Sequence, residues 1–268
     1  KNLQWELGAS AGHYTNEIVS LPQGDFTTSI YDAEILTAIG NPAGVFYGYK
    51  TNGVFATNQE AEAAGLKMIN EYGNEVAFGA GDMIFVDDNE DGMIDENDKQ
   101  IIGDPNPDIY GTFNSDLKFG NFSIRALFTY SMGNDVYNYL RSNLESGSDL
   151  MNQTTAVLNR WTYEGQETTM PKAHFGDPMG NARFSDRWIE DGSYLRFKSV
   201  SVSYKIPINH PRLDQLTIWL SGKNLYTLSN YLGRDPEFSS GTPVLYQGID
   251  TGLLPLTNTY MIGVKMNL

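Results

Sequence analysis

The chain has 268 residues, 18 Lys plus Arg against 33 Asp plus Glu and a net charge of −15, and no basic cluster interrupts that field, so nucleic acid and anionic headgroups are poor partners. No stretch approaches the roughly 18 apolar residues of a membrane-spanning helix, a test that does not touch a β-barrel. Charged residues supply only 19% and aromatics 12%, with 27 Gly and no Cys, the composition of an aromatic-rich β protein with many turns and no disulfide, thiol nucleophile or thiolate metal site.

Leu3, Trp5, Leu7, Ala9 and Ala11 alternate with polar residues, the period of a strand buried on one face, and predict one long strand over residues 2–20. Thr57 followed by Glu60 has capping-box spacing ahead of Ala61, Ala64, Met68 and Ile69, predicting a short helix at about 58–71. Phe113, Ser115, Leu117 and Phe119 alternate up to Gly120-Asn121, and Phe122, Ile124, Ala126, Phe128 and Tyr130 alternate away from it, which reads as a tight hairpin. Val136, Leu140 and Leu144, then Leu150, Thr154, Val157, Leu158 and Trp161, recur at helical spacing. A further strand pair runs from Tyr194 to Ile206 and from Leu216 to Thr227, joined by a short connection carrying Pro207 and Pro211. The last run, Tyr260, Ile262, Val264, Met266 and Leu268, alternates to the final residue.

These strands are longer than the five or six residues usual in soluble sheets and close to the length that crosses a bilayer at a tilt. Their connections alternate between short (Gly120-Asn121 and 207–213) and long (21–107, 132–193 and 228–257). Short turns at one end and long loops at the other mark an outer-membrane barrel. The predicted fold is therefore all-β: an antiparallel segment of a large outer-membrane β-barrel, about six long strands, with long extracellular loops containing short helices. The chain opens at Lys1 without Met, apolar h-region or cleavage site, so either processing removed a leader or this is a piece of a longer polypeptide.

The sharpest chemical signal is Asp87-Asp88-Asn89-Glu90-Asp91-Gly92-Met93-Ile94-Asp95-Glu96-Asn97-Asp98. Ca²⁺ takes hard oxygen ligands, and a twelve-residue loop supplies them from positions 1, 3, 5, 7, 9 and 12 with Gly at 6. In that register the ligands are Asp87, Asn89, Asp91, the Met93 carbonyl, Asp95 and Asp98, with Gly92 at the turn and a shorter Asp where Glu is usual. A structural Ca²⁺ is the expected cofactor, set against the alternative of a solvated acidic turn. Catalytic constellations are weak, and the many carboxylates single out no acid/base pair. His13, His174 and His210 are isolated in sequence, and neither a nucleophile elbow, a zincin motif nor a phosphate-cradling Gly loop occurs, so no enzyme is expected. Trp161, Trp188, Tyr47, Tyr49 and Tyr231 fall in loops, where they anchor the loop or stack on sugar rings.

Several blocks resemble the SusC/RagA class of TonB-dependent outer-membrane transporters of the Bacteroidetes type. They are Phe46-Tyr47-Gly48-Tyr49-Lys50-Thr51-Asn52-Gly53-Val54-Phe55, Gly81-Asp82, the Asp87–Asp98 loop, and Ile102-Gly103-Asp104-Pro105-Asn106-Pro107-Asp108. Further on come Gly133-Asn134-Asp135-Val136-Tyr137-Asn138, Asp191 to Lys198, Gly222 to Thr227, and Gly233-Arg234-Asp235-Pro236-Glu237. The blocks keep the family's order and span nearly the whole chain. The resemblance implies the C-terminal portion of a barrel of about 22 strands, residues 1–268 being wall and loops without the plug and N-terminal segments. Leu268 departs from the aromatic residue on which such barrels commonly end.

What the resemblance implies for function is uptake of oligosaccharides or peptides too large for porins. Uptake is energised by TonB through the missing N-terminal part, in the outer membrane of a Gram-negative bacterium, in contact with outer-membrane lipid and with a SusD-like surface lipoprotein as lid. The 132–193 and 228–257 loops, with Leu144, Trp161 and Tyr231, are the candidate seat of that lid. The alternative from another class is a soluble, secreted, Ca²⁺-stabilised β module that binds glycans by aromatic stacking.

Overall fold

The computed structural model describes residues 3–208, 213–238 and 240–267; Pro211 and His210 of the expected short connection, and Leu268 at the expected strand end, lie outside them. Six strands form one antiparallel sheet whose spatial order is the chain order: β1 (Leu3–Gly12), β2 (Ile109–Phe119), β3 (Phe122–Met132), β4 (Tyr194–Ile206), β5 (Gln215–Ser229) and β6 (Thr259–Asn267). Phe119 pairs with Phe122 across Gly120-Asn121, and Gly120 takes φ 59, the positive first position that a two-residue hairpin turn of this kind needs. Between β3 and β4, and again between β4 and β5, the register shifts beside Lys198, which stands outside both ladders.

The period-2 alternation lays one apolar row across the whole sheet, because Trp5, Leu117, Ile124, Val202, Leu220 and Ile262 are successive cross-strand partners. On the next row Glu6, Asp116, Arg125, Ser201 and Ser221 follow one another in the same way, with Arg125 Nε 2.5 Å from Asp116 Oδ1. The apolar row has no cover. Trp5 is 65% exposed and Ile262 77%, and among the described residues no buried apolar side chain belongs to β1–β6.

All three long excursions, 13–108, 133–193 and 230–258, leave the sheet at the end opposite Gly120-Asn121. There they fold together into a cap with two apolar cores. One gathers Tyr49, Val54, Phe55, Ala61, Leu66, Phe78, Met83, Phe85 and Ile94. The other draws Ala33, Ile35 and Phe46 from the first excursion, Tyr137 and Trp188 from the second and Ile249 from the third. Small sheets frame these cores: strands Phe26–Ile30, Ala33–Thr37, Val45–Gly48 and Gln100–Gly103 form one, and Ile189–Asp191, Asp135–Asn138 and Ile249–Asp250 another.

The six long strands and looped end agree with the sequence reading; several local expectations do not. The strand predicted over 2–20 ends at Gly12, because the chain beyond it bonds to the cap instead: the His13 imidazole Nδ1 lies 2.5 Å from Asp108 O, and Ile18 N donates to Asn41 O at 3.0 Å. The helix predicted at about 58–71 is α1, Asn58–Ala64, with Thr57 Oγ1 accepting from Glu60 N as the spacing implied. It stops where Gly65 adopts φ 68, the left-handed C-terminal cap, and Met68 and Ile69 lie on the short strand Lys67–Ile69. Val136 is on a strand; only Leu140 and Leu144 are helical, in α2 (Tyr139–Glu145), and the Leu150–Trp161 run holds just the 3₁₀ turn Thr155–Asn159.

Trp188 is fully buried, its Nε1 donating to Ala182 O and Arg183 O at 3.2 Å, with the Arg187 and Arg141 guanidinium carbons 4.2 and 5.2 Å from its ring. Trp188→Ala is expected to cost the cap about 3–5 kcal/mol, read as cleavage within the three excursions by a protease that leaves the parent intact. Leu158→Ala, at a side chain 76% exposed, is expected to leave the cleavage rate unchanged.

Candidate functional site

The acidic loop lies at the edge of the first cap core, fastened by its eighth residue. Ile94 is buried among Phe55, Leu66 and Phe85, its N–H donates to Lys67 O at 2.8 Å, and Lys67 N donates back to Gly92 O at 3.0 Å. Gly92 takes φ 80 and Glu90 φ 60, which curl the chain so that side-chain oxygens turn inward on backbone N–H groups. Asp87 accepts from Asp91 N (3.2 Å) and Gly92 N (2.7 Å), Asn89 from Asp91 N (3.0 Å), and Asp91 from Met93 N (2.8 Å). Asp95 accepts from Asn97 N at 2.8 Å, and Asp98 closes the ring, fully buried, with its two oxygens accepting from Asp88 N (2.9 Å) and Asp95 N (2.8 Å).

The sequence-predicted residues are thus drawn into one loop with the turn glycine where the pattern requires it. All the donors it offers are oxygens, which suits a hard cation. The structure nonetheless directs those oxygens at N–H groups, and among the described residues no set of three or more His, Asp or Glu side chains is gathered into a metal-holding group. Sequence reasoning missed the post that carries the loop's far end. Lys99, nearly buried, bridges Glu34 Oε1 (2.6 Å) and Glu96 Oε2 (2.7 Å) and lies 5.4 Å from the Tyr49 ring centroid. Burial alone would lower its pKa, but the hydrogen bonds to Glu34 and Glu96 prevail and hold it above the ordinary lysine value.

Ion pairs stitch the third excursion to the sheet. Arg196 of β4, buried, pairs with Asp235 and, through Nε at 2.8 Å, with Glu237, which also takes Lys198 Nζ at 2.6 Å. Asp235 passes the constraint on by accepting from Glu237 N and Leu256 N, both at 2.9 Å. Tyr231 donates to Asp250 Oδ2 at 2.6 Å, and Arg141 of α2 binds Glu190 Oε1 at 2.6 Å. The loop aromatics follow suit: Tyr49, Trp188 and Tyr231 are buried, and Trp161 packs on the first core with Nε1 donating to Ala56 O at 3.1 Å. They anchor their own loops.

The seam between sheet and cap has the opposite electrostatics. Asp104 N donates to Asp135 Oδ2 at 2.9 Å and Asp135 N to Asp104 O at 2.7 Å, tying the Ile102–Asp108 and Gly133–Asn138 blocks together. A Cβ on Gly133 would strike the Asp108 carboxylate, so both the glycine and its φ of 82 are required. Burial raises the Asp135 pKa above its ordinary value; the hydrogen bond from Asp104 N opposes this, and the carboxylates of Asp104, Asp191 and Asp108 add to the rise. Because the folded value exceeds the unfolded one, stability from this group is lost as pH rises through the folded value and recovered on acidification. Asp135→Asn, whose amide oxygen still accepts from Asp104 N, is expected to raise the thermal midpoint at pH 7. The gain should shrink as pH falls below the folded value, a dependence that a melting series from pH 4 to 8 checks.

No family model matches the chain. Its whole length nevertheless aligns with curated proteins: it is 31% identical to TonB-dependent receptor P3 of Formosa agariphila over 286 aligned residues, covering 99% of this chain and 27% of that protein. It is 24% identical to TonB-dependent receptor SusC of Bacteroides thetaiotaomicron, covering 99% of this chain and 24% of SusC. The fold is that of a stretch of the RagAB peptide importer in its open-open state, with a TM-score of 0.75 at 21% identity over 100% of this chain and 27% of that one. Spanning only about a quarter of the length of the curated relatives it matches, the chain is a homologue of the TonB-dependent receptors, SusC among them.

Proposed function

We propose that this chain is the C-terminal part of a TonB-energised importer of the bacterial outer membrane, six strands of its barrel wall with the extracellular cap above them. The observation that carries the reading is the uncovered apolar row from Trp5 to Ile262 on a sheet whose outer strands, β1 and β6, each have one unpaired edge. Lipid covers such a row, and further strands close such edges, since open edges are not tolerated in hydrocarbon. The homology to TonB-dependent receptors and the fold shared with a stretch of RagAB support the same reading. A soluble glycan-binding module would instead have to bury that row in a core of its own, and among the described residues the buried apolar ones all lie in the cap.

Nutrient cargo of oligosaccharide or peptide type then passes along the polar face, and a SusD-like lipoprotein seats on the cap. Leu150, Leu158, Leu232 and Leu254 stand exposed on the second and third excursions and are the apolar contacts such a lid would cover. In cells carrying the full transporter, an epitope inserted at Ser146 should be reached by antibody from outside and one at Asn121 should not. Labelling in the reverse sense would overturn the topology.

In the acidic loop Ca²⁺ would be held by Asp87, Asn89, Asp91, the Met93 carbonyl, Asp95 and Asp98. The ion would supply a fixed positive charge that releases these oxygens from their hydrogen bonds and stiffens the loop against the core at Ile94. Calorimetric titration of chelator-stripped protein should show one saturable site that Asp91→Ala and Asp95→Ala abolish. Heat indistinguishable from the buffer blank would make the loop a self-capped acidic turn.

A further inference from the structure

A polar cleft of about 430 Å³ opens in the cap between the tip of the Phe26–Thr37 hairpin, α2 and the chain around Asp177. Its most unusual wall is the hairpin tip. Tyr31 and Asp32 both have positive φ, 51 and 64, in a two-residue turn that ordinarily takes Asn or Gly. The Tyr31 ring lies 5.1 Å from that of Tyr139 on α2, which holds the tip against the cleft. Asp32 is thereby presented at the lining, and among the described residues its carboxylate has no hydrogen bond or ion pair.

Opposite it are groups that both donate and accept. The Ser146 and Ser148 hydroxyls are 2.9 Å apart, the Tyr137 hydroxyl is 3.0 Å from Ser142 Oγ, and Asn143 spends its amide nitrogen on Tyr139 O at 2.9 Å, leaving its oxygen. Asp149 uses one oxygen to cap Met151 N at 2.8 Å. The charged groups deeper in the lining are already committed. Arg183 donates to Gly180 O and Met179 O, both at 2.9 Å, with its guanidinium 4.5 Å from the Phe85 ring, while Asp177 accepts from Asn181 N and Ala182 N at 2.8 Å. The cleft therefore offers hydroxyls, one amide and two carboxylates, while Arg183, the cation of its lining, is engaged by backbone carbonyls and ring faces.

We infer that this cleft is a subsite for one uncharged sugar residue of the cargo, held through its vicinal hydroxyls by Asp32, Asn143, Ser146, Ser148 and Asp149, and that it excludes uronic and sulfated sugars. The inference rests on the importer reading and narrows its cargo. Adjacent hydroxyls donate as a pair to a carboxylate and accept from serine, which matches this inventory. A sugar carboxylate or sulfate would meet Asp32 and Asp149 at close range in a chain of net charge −15. A peptide backbone needs paired donors and acceptors in ladder spacing, which the cleft does not present, although a free ammonium group would satisfy its carboxylates and is the rival that the test must separate.

The experiment uses the full transporter in detergent, with saturation-transfer NMR and calorimetry on five probes: maltotriose, laminaritriose, N,N′,N″-triacetylchitotriose, trigalacturonate and the peptide Lys-Gly-Gly. At least one neutral trisaccharide should bind at least tenfold more tightly than trigalacturonate and the peptide, and Asp32→Asn with Asp149→Asn should weaken it at least tenfold. Both variants keep the left-handed turn and the Met151 cap, so an unchanged thermal midpoint certifies their fold. Trigalacturonate or Lys-Gly-Gly binding as tightly as the best neutral sugar, no binding of any neutral sugar, or an unaffected double variant would each overturn the subsite. TonB-dependent uptake of another cargo in intact cells would leave the importer reading standing in those cases; its absence, with the protein outside the outer membrane, would remove both.

Discussion

A sheet that carries an apolar face and buries none of it has its stability set by what lies outside it. Here the dependence is extreme, because the row from Trp5 to Ile262 crosses six strands without meeting a second layer, and both cores lie in the cap. Hydrophobic burial, which in a water-soluble domain comes from the chain folding on itself, is handed to an external medium for the wall and kept internal only for the loops. The sheet's polar row has the complementary character, with Arg125 paired to Asp116 and serines filling positions where a core would need bulk.

The joint between these regimes is electrostatic. Arg196 is the buried polar residue at the sheet's looped end, and truncating it would leave Asp235 without its cationic partner, leave Glu237 with Lys198 alone, and loosen the Asp235 carboxylate that accepts from Leu256 N. Losing one member of a buried pair is far more damaging than never having had it. The neighbouring seam at Asp104 and Asp135 relies instead on backbone donors facing carboxylates, which hold the two blocks in place at the expense of repulsion among four acids.

The wall was legible from period alone, since a one-residue slip would move Trp5, Leu117 and Ile124 to the polar face, and the Gly120-Asn121 turn left no freedom in the register. The cap was not. Its strands are two to five residues long, too short for period to distinguish strand from helix. Val136 illustrates the failure: its helical spacing to Leu140 is real, but residues 135–138 pair with Asp191–Ile189 on one side and with Ile249–Asp250 on the other, partners distant in sequence. The acidic loop was readable because its ligand pattern is local, whereas the cleft around Asp32 was invisible, being assembled from three segments that only the tertiary fold brings together.

The second core has a consequence for how such proteins diversify. Ile35, Trp188 and Ile249 come from three separate excursions, yet each is fully buried against the others' neighbours. Because the wall strands follow one another in chain order, any one excursion could be exchanged between relatives without disturbing a single ladder of the wall. The interlocked core forbids it: a transplanted excursion arrives with one-third of a jigsaw cut for another set. Recombination in this region is therefore expected to travel in blocks that carry all three excursions together.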